Sequence, residues 1–379
     1  MNTHSPRSTP LFAVLGAALL SLAMLAPAWA QEYGVGQQSL RQKRDAARAK
    51  AAQEAKATEP VAAQYPQATR QEPEAKATKH TLKALQDAQE KYEAQDYAGV
   101  IAKADAIAAG ADANAYEQAF AYQLAGSAAA AAGDDAAAAV YFGKALAADG
   151  LDNNNHYTVM FNLAVTQYGL GQNAQALQTL DRFLAETKSD KLEAQSLRGG
   201  ILMALERYAD AGELYGRLLA AHPDDRTLRV NAVAAYQQSN QPDKAVALLA
   251  SALAKGQLTE ANEYRALYVS YINADKDAQA RAVIEDGIAK GVIKPGPDLA
   301  RDYMVLGQRA YYADNLPTAI EMYKRAAPMA ADGEAALNLA KIQAEAGHAA
   351  EARAAAQQAL DKGVKDTAAA KRLLGPAGK

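Results

Sequence analysis

Residues able to do chemistry are present in this sequence but do not assemble into a known constellation. His80, His156, His222 and His348 lie far apart at expected turns, so each reads as a helix cap or an exposed side chain, and no His-Glu-x-x-His metal motif occurs. Asp149, Asp152, Asn153, Asn154 and Asn155 form an oxygen-rich cluster that could suit calcium. That cluster lacks the alternating acids and distal glutamate of a calcium loop and reads as a turn with helix caps. Neither a phosphate-binding Gly-rich loop nor a Gly-x-Ser-x-Gly elbow is found. The chain has no cysteine, which excludes disulfides, thiolate metal sites, a cysteine nucleophile and a lipid-modified cysteine. The expectation is a protein that is not an enzyme, with no metal and no cofactor.

The elements that carry these residues follow from composition and spacing. Hydrophobic residues make up 50% of the 379 positions and aromatics only 7%, with alanine runs at 128–132 and 136–139. Alanine favours helices and lets them approach closely, whereas a β protein would need more branched and aromatic residues. From residue 80 onward the chain repeats itself. Ala138, Ala176, Ala211, Ala245, Ala280, Ala319 and Ala352 are separated by 38, 35, 34, 35, 39 and 33 residues. Twelve positions before each stands another residue, small in Gly126, Ala164, Gly199, Gly307 and Ala340, and large in Val233 and Tyr268. Glycine inside a helix costs about 1 kcal/mol against alanine, so these glycines imply close helix packing. Nothing in the sequence explains Tyr268.

Turn chemistry falls between the expected helices. Gly133, Gly171, Asn240, Asp314 and Gly347 mark turns inside repeats; Gly150, Pro223, Gly256, Gly291 and Gly333 mark turns between them. Glycine following a helix reads as its C-cap. Pro242 and Pro317 fit the first turn of a second helix. Tyr264, Tyr268, Tyr271, Tyr303, Tyr311, Tyr312 and Tyr323 lie at helical spacing and read as packing between helices.

The pattern resembles a tetratricopeptide repeat (TPR) array over roughly residues 81–374. Asn162, Leu163, Ala164, Gly171, Ala176 and Phe183 carry it in one repeat, and Leu306, Gly307, Tyr311, Ala319, Tyr323 and Ala326 in another. The resemblance implies an all-α, right-handed superhelical solenoid of about eight helix-turn-helix repeats, with a degenerate first repeat and a C-terminal capping helix. It also implies a concave face lined by first helices, which places Phe120, Gln123, Phe161, Val165, Tyr168, Met203, Arg265, Arg301, Met304, Gln308 and Tyr311 in the partner-binding groove. TPR proteins that clamp a terminal carboxylate use a lysine and asparagine pair. Phe161 and Val165 stand at those sites in the third repeat, so an extended segment with apolar side chains is the expected ligand.

Residues 1–30 read as a secretory signal. Arg7 precedes an apolar run over 11–25, too short for the ~20 residues that span a bilayer, and Ala28, Trp29 and Ala30 end it, placing cleavage between Ala30 and Gln31. No membrane span is expected after cleavage. Residues 31–79 read as a flexible, partly helical linker arm, and 80–375 as the repeat array with its capping helix. Residues 31–80 hold nine basic and six acidic residues, whereas the remainder from Thr81 holds 30 and 37, a net charge of −7. An acidic body argues against nucleic acid, where phosphate neutralisation dominates affinity. These features lead to a periplasmic scaffold that binds a peptide segment or protein partner in the cell envelope. An accessory of a TonB- or Tol-type energy-transducing system fits that description. The alternative is a structural adaptor for polysaccharide secretion or peptidoglycan synthesis that touches glycan directly.

Overall fold

Asp and Asn side chains at the expected turns become helix caps. Asp96, Asn114, Asp134, Asp152, Asp225, Asn315 and Asp366 each accept the amide of the residue three positions on. Such caps satisfy amides that a helix end leaves without partners. The computed structural model describes residues 63–74 and 76–375. The cleavage position at Ala30 and Gln31 and most of the arm lie outside these described residues.

The described residues form seventeen α-helices and no strand, and the chain divides into two compact units, Met1–Asn240 and Gln241–Lys379. The first contains α1 (Lys79–Glu93), α2 (Tyr97–Ala108), α3 (Ala115–Ala131), α4 (Asp135–Ala148), α5 (Asn153–Gly169), α6 (Asn173–Thr187), α7 (Leu192–Ala204), α8 (Tyr208–Ala221) and α9 (Arg226–Gln238). The second contains α10 (Pro242–Ala254), α11 (Ala261–Asn273), α12 (Asp277–Ala289), α13 (Pro297–Tyr312), α14 (Leu316–Met329), α15 (Glu334–Glu345), α16 (Ala349–Asp361) and α17 (Thr367–Leu374). Within each unit, the two helices of each repeat pack on one another, and most neighbouring repeats stack. The first repeat is complete, as α1 and α2.

The small positions do what their spacing implied. A Cβ on Gly126 would lie 2.6 Å from the Phe142 ring, one on Gly199 2.5 Å from Tyr215, and one on Gly307 2.9 Å from Tyr323. In each case the ring stands sixteen residues later, on the second helix of the same repeat. Glycine thus makes room for an aromatic ring, and the pair sets the distance between the helices. Tyr268 follows a different logic. Its ring is buried, and its hydroxyl donates to Asp302 Oδ2 at 2.8 Å, so it reaches from α11 to the first helix of the next repeat. Burial and the carboxylate both push that hydroxyl's pKa upward.

Every turn within a repeat places one residue at positive φ. Gly133, Gly171 and Gly347 hold this position in three repeats, whereas Gln95, Glu206, Asn240, Asp275 and Asp314 hold it at φ of 61°, 58°, 57°, 57° and 54°. A side chain in this region is strained by contact with its own carbonyl. Glu206→Gly should therefore stabilise the protein by about 0.5–1 kcal/mol, after allowing for the greater freedom of glycine when unfolded. A urea midpoint that fails to rise would refute this.

Glycines between repeats divide into two groups. Gly256 and Gly291 have φ of 69° and 70°, as C-caps should. Gly150 and Gly333 do not, which corrects their reading as caps. A Cβ on Gly150 would stand 2.1 Å from the carbonyl carbon of Ala115, and one on Gly333 2.1 Å from the Ala359 oxygen. They are glycine because another backbone passes against them.

The arm also needs correction at its C-terminal end. Residues 63–74 and 76–78 run along the first unit without forming a helix, with one turn closed by Ala68 N donating to Tyr65 O at 3.1 Å, and are held by polar contacts instead of apolar periodicity. Arg70 donates to Asp149 Oδ1, Asp149 O, Leu151 O and Asn153 Oδ1, at 2.8 to 3.0 Å. Thr78 caps α1 and donates to Glu117 of α3 through both its amide and its hydroxyl. The Asp149 to Asn155 cluster is a cap and an arginine socket. His156, expected at a capping or exposed position, is instead 1% exposed inside it. Burial and the nearby Arg70 hold its pKa down to about 4, so it is neutral near pH 7.

Candidate functional site

Gly307 allows α14 to lie close against α13, and the next first helix, α15, then faces α13 across a cleft of about 510 Å³. Ile342, Tyr323 and half-buried Met304 supply its apolar inner surface, while Val305 and Tyr312 stand exposed at its edge. Tyr312 is 75% exposed, and its ring centre lies 5.8 Å from that of Tyr311. Gln308, Asn338, Lys341, Arg301 and Glu345 contribute the polar lining. Its volume falls within the ~300–1,000 Å³ common for binding pockets, and its mixture of apolar surface with a few polar groups suits a side chain from an extended segment.

Charge in and around the cleft is unevenly committed. Arg301 pairs with Asp298, and Arg265 faces Asp298 at 3.7 Å and Asp302 at 3.4 Å. Burial raises the pKa of Asp302, with Tyr268 and Arg265 opposing it. Tyr311 donates to Glu345 Oε2 at 2.9 Å, joining α13 to α15, and that carboxylate raises the tyrosine's pKa. Lys341 pairs with no acidic group among the described residues. It is the cation of the cleft most available to a ligand.

Four of the expected groove residues, Arg301, Met304, Gln308 and Tyr311, meet in this cleft. Arg265 lies outside its lining, engaged with Asp298 and Asp302. In the first unit, Gln123 donates to Asn155 across from α3 to α5 at 3.1 Å, and Phe120 stacks on Tyr116. Val165, Tyr168 and Met203 are half-buried. Phe161 is 7% exposed, and its ring centre is 5.5 Å from that of Phe183, so it is a core residue and not a groove contact. The expected set omitted Val305, Tyr312, Tyr323, Asn338, Lys341, Ile342 and Glu345. Shifting Gln308 by the 33 residues that separate Gly307 from Ala340 arrives at Lys341, so extending the repeat pattern would have found it. Tyr264, Tyr268, Tyr303 and Tyr323 are buried, as packing residues at helical spacing should be, whereas Tyr312 is exposed.

Residues 202–270 match the tetratricopeptide repeat family model. This stretch carries tetratricopeptide repeats. No curated protein matches it. Among solved structures, a TPR protein from Parabacteroides merdae is 18% identical over 70% of this chain and 100% of its own, with a TM-score of 0.40. MamA from Desulfovibrio magneticus RS-1 is 17% identical over 45% of this chain and 93% of its own, with a TM-score of 0.37. MamA MSR-1 C2 is 20% identical over 45% and 95%, with a TM-score of 0.36. A TPR stack is a protein–protein interaction scaffold, because its repeated helices present adjoining surfaces that one segment can cross. Among the described residues, no group of three His, Asp or Glu side chains converges as a metal site. No described helix is long and apolar enough to cross a membrane.

Proposed function

We propose that the protein is an exported scaffold of the bacterial cell envelope whose α13–α15 cleft grips an extended segment of a protein partner. The observation that carries this reading is the cleft itself, in which exposed Tyr312 and Val305 border an apolar floor and Lys341 stands ready for an acidic or carbonyl group. Exposed aromatic residues beside a pocket are the kind that dominate binding energy. The signal-like residues 1–30 support export to the periplasm.

Tyr312→Ala should weaken partner binding by about 2 kcal/mol, roughly thirtyfold in Kd, without lowering the melting temperature. A photo-crosslinking residue at Gln308 in intact cells tests the site directly. The expected product is a polypeptide adduct on a mature chain that begins at Gln31, lost when Tyr312→Ala is added. The exposed Tyr312 ring also favours the second reading, since an aromatic face can stack on a sugar. Adducts with glycan strands and none with protein would replace the first reading by the second.

A further inference from the structure

The segment 63–78 sits on the first unit as a ligand sits on a receptor. It has no apolar period and forms no helix before Thr78. Gln64 meets Asn154 of α5, Tyr65 and Thr69 meet residues of 183–191, Arg70 meets the 149–153 turn, and Lys76 and Thr78 meet the start of α3. Tyr65 places its ring edge-on to Tyr157 and Phe183, with centroids at 5.4 and 5.6 Å, and the Lys191 ammonium lies 5.2 Å from its centre. Five residues later, Arg70 fills its socket with only 10% of its side chain exposed. At and around these anchors the backbone is read directly. Gln64 N donates to Asn154 Oδ1 at 2.8 Å, Thr69 N to Glu186 O at 2.9 Å, and Asn153 Nδ2 to Arg70 O at 3.2 Å. Side chains at Gln67 and Gln71 face solvent.

Two further observations indicate an occupant that can be replaced. Beside the arginine socket, His156 is almost wholly buried, yet neither ring nitrogen makes a hydrogen bond; its closest carboxylate, Asp149, is 3.8 Å away. The segment therefore leaves buried polar capacity unused, which costs free energy that another ligand could recover. In the second unit, a comparable group of turn carbonyls is served by a residue of the following repeat. Lys362 Nζ donates to Ala327 O, Pro328 O and Ala330 O at 2.8 to 3.0 Å. At the 149–153 turn the cation comes from outside the repeats. Ordering such a segment costs conformational entropy at every residue, and few side chains besides Tyr65 and Arg70 offset it, which marks the low-stability end of a fold.

We propose that this edge of the first unit, built from Tyr157, Phe183, Lys191, Asp149 and Asn153, is a second peptide-binding site. Its external ligand is a protein segment that bears an aromatic residue five positions before an arginine with a turn between them, and residues 63–78 occupy it until such a segment displaces them. An internal occupant acts at an effective concentration on the order of 1 mM. If the internal segment's own intrinsic Kd is ~10 µM, that competition weakens the apparent affinity of an external ligand about a hundredfold.

The absence of cysteine permits a clean test. Gln67→Cys in the full chain carries a single environment-sensitive dye, and a synthetic peptide of residues 63–78 is the probe. Displacement should change the dye signal in the otherwise wild-type chain. The same peptide should bind the full-length Tyr65→Ala, Arg70→Ala variant about a hundredfold more tightly. Asp149→Lys in that variant, or alanine at the peptide's arginine position, should abolish binding. Failure of the peptide to bind the double variant, or equal binding without its arginine, would overturn the proposal. Unfolding of the double variant would also count against it, since the segment would then be core. Hydrogen exchange on the wild-type chain gives an independent answer. The Thr69 amide should exchange at least a thousandfold faster than amides within α5, and exchange at the same rate would show a fixed structural clamp.

Discussion

Glu117→Gln is expected to destabilise the protein by about 2–3 kcal/mol, because one buried carboxylate serves two helix ends. Glu117 closes a capping box at the start of α3, accepting from Asn114 N at 3.0 Å while its own amide donates back to Asn114 Oδ1. Its other oxygen accepts from the Thr78 amide at 2.8 Å and the Thr78 hydroxyl at 2.7 Å, and Thr78 caps α1. The carboxylate therefore lies against the positive ends of α1 and α3 and joins them. A glutamine would turn one of these acceptors into a donor facing other donors, and hydrogen bonds to a charged group are worth about 1.5–3 kcal/mol each.

Acidification gives this prediction a second signature. Burial alone would raise the Glu117 pKa, but bonds from the Thr78 hydroxyl, Asn114 N–H and Thr78 N–H prevail and hold it at about 2, against an ordinary 4.5. Because the folded value lies below the unfolded one, the carboxylate's contribution is complete above pH 4.5 and fades as pH falls towards 2. The variant has nothing to titrate there. The stability gap between wild type and Glu117→Gln should accordingly narrow across that window in urea titrations. A variant as stable as wild type at pH 7 would show that another contact joins α1 to α3.

Gly150→Ala should cost about 3 kcal/mol, a large effect for one methyl group. The added Cβ would stand 2.1 Å from Ala115 C, 2.2 Å from Ala115 O and 2.3 Å from Tyr116 N. These are backbone atoms in the first turn of α3, so no side chain can rotate away. The 149–153 turn would have to withdraw, pulling Leu151 from a fully buried position and moving the two carbonyls that accept from Arg70. Gly143→Ala provides the contrast. It lies inside α4 with no atom within 4 Å of the new methyl, so the change should be neutral or stabilising by up to about 1 kcal/mol. Equal effects of the two alanines on the urea midpoint would refute the close-approach account of Gly150.

The repeat architecture was legible in the sequence because the distance between paired helices is set by residue size. Gly126, Gly199 and Gly307 could be identified before their rings were known. The part of the cleft formed by Arg301, Met304, Gln308 and Tyr311 was equally accessible, since repeats return equivalent positions to equivalent faces. Roles that depend on a second, distant segment were not. Gly150 looks like any glycine after a helix until the α3 backbone lies against it, and Tyr268 looks misplaced until Asp302 meets its hydroxyl. Phe161 looked available for binding until Phe183 covered it. Residues 63–78 look like a solvated tether, because their order comes from single hydrogen bonds to partners many tens of residues away and from no periodic pattern of their own. Local size and periodicity thus determined the helices and their pairing. Tertiary structure alone decided which side chains stay exposed and where the arm docks, because both depend on contacts that no local period encodes.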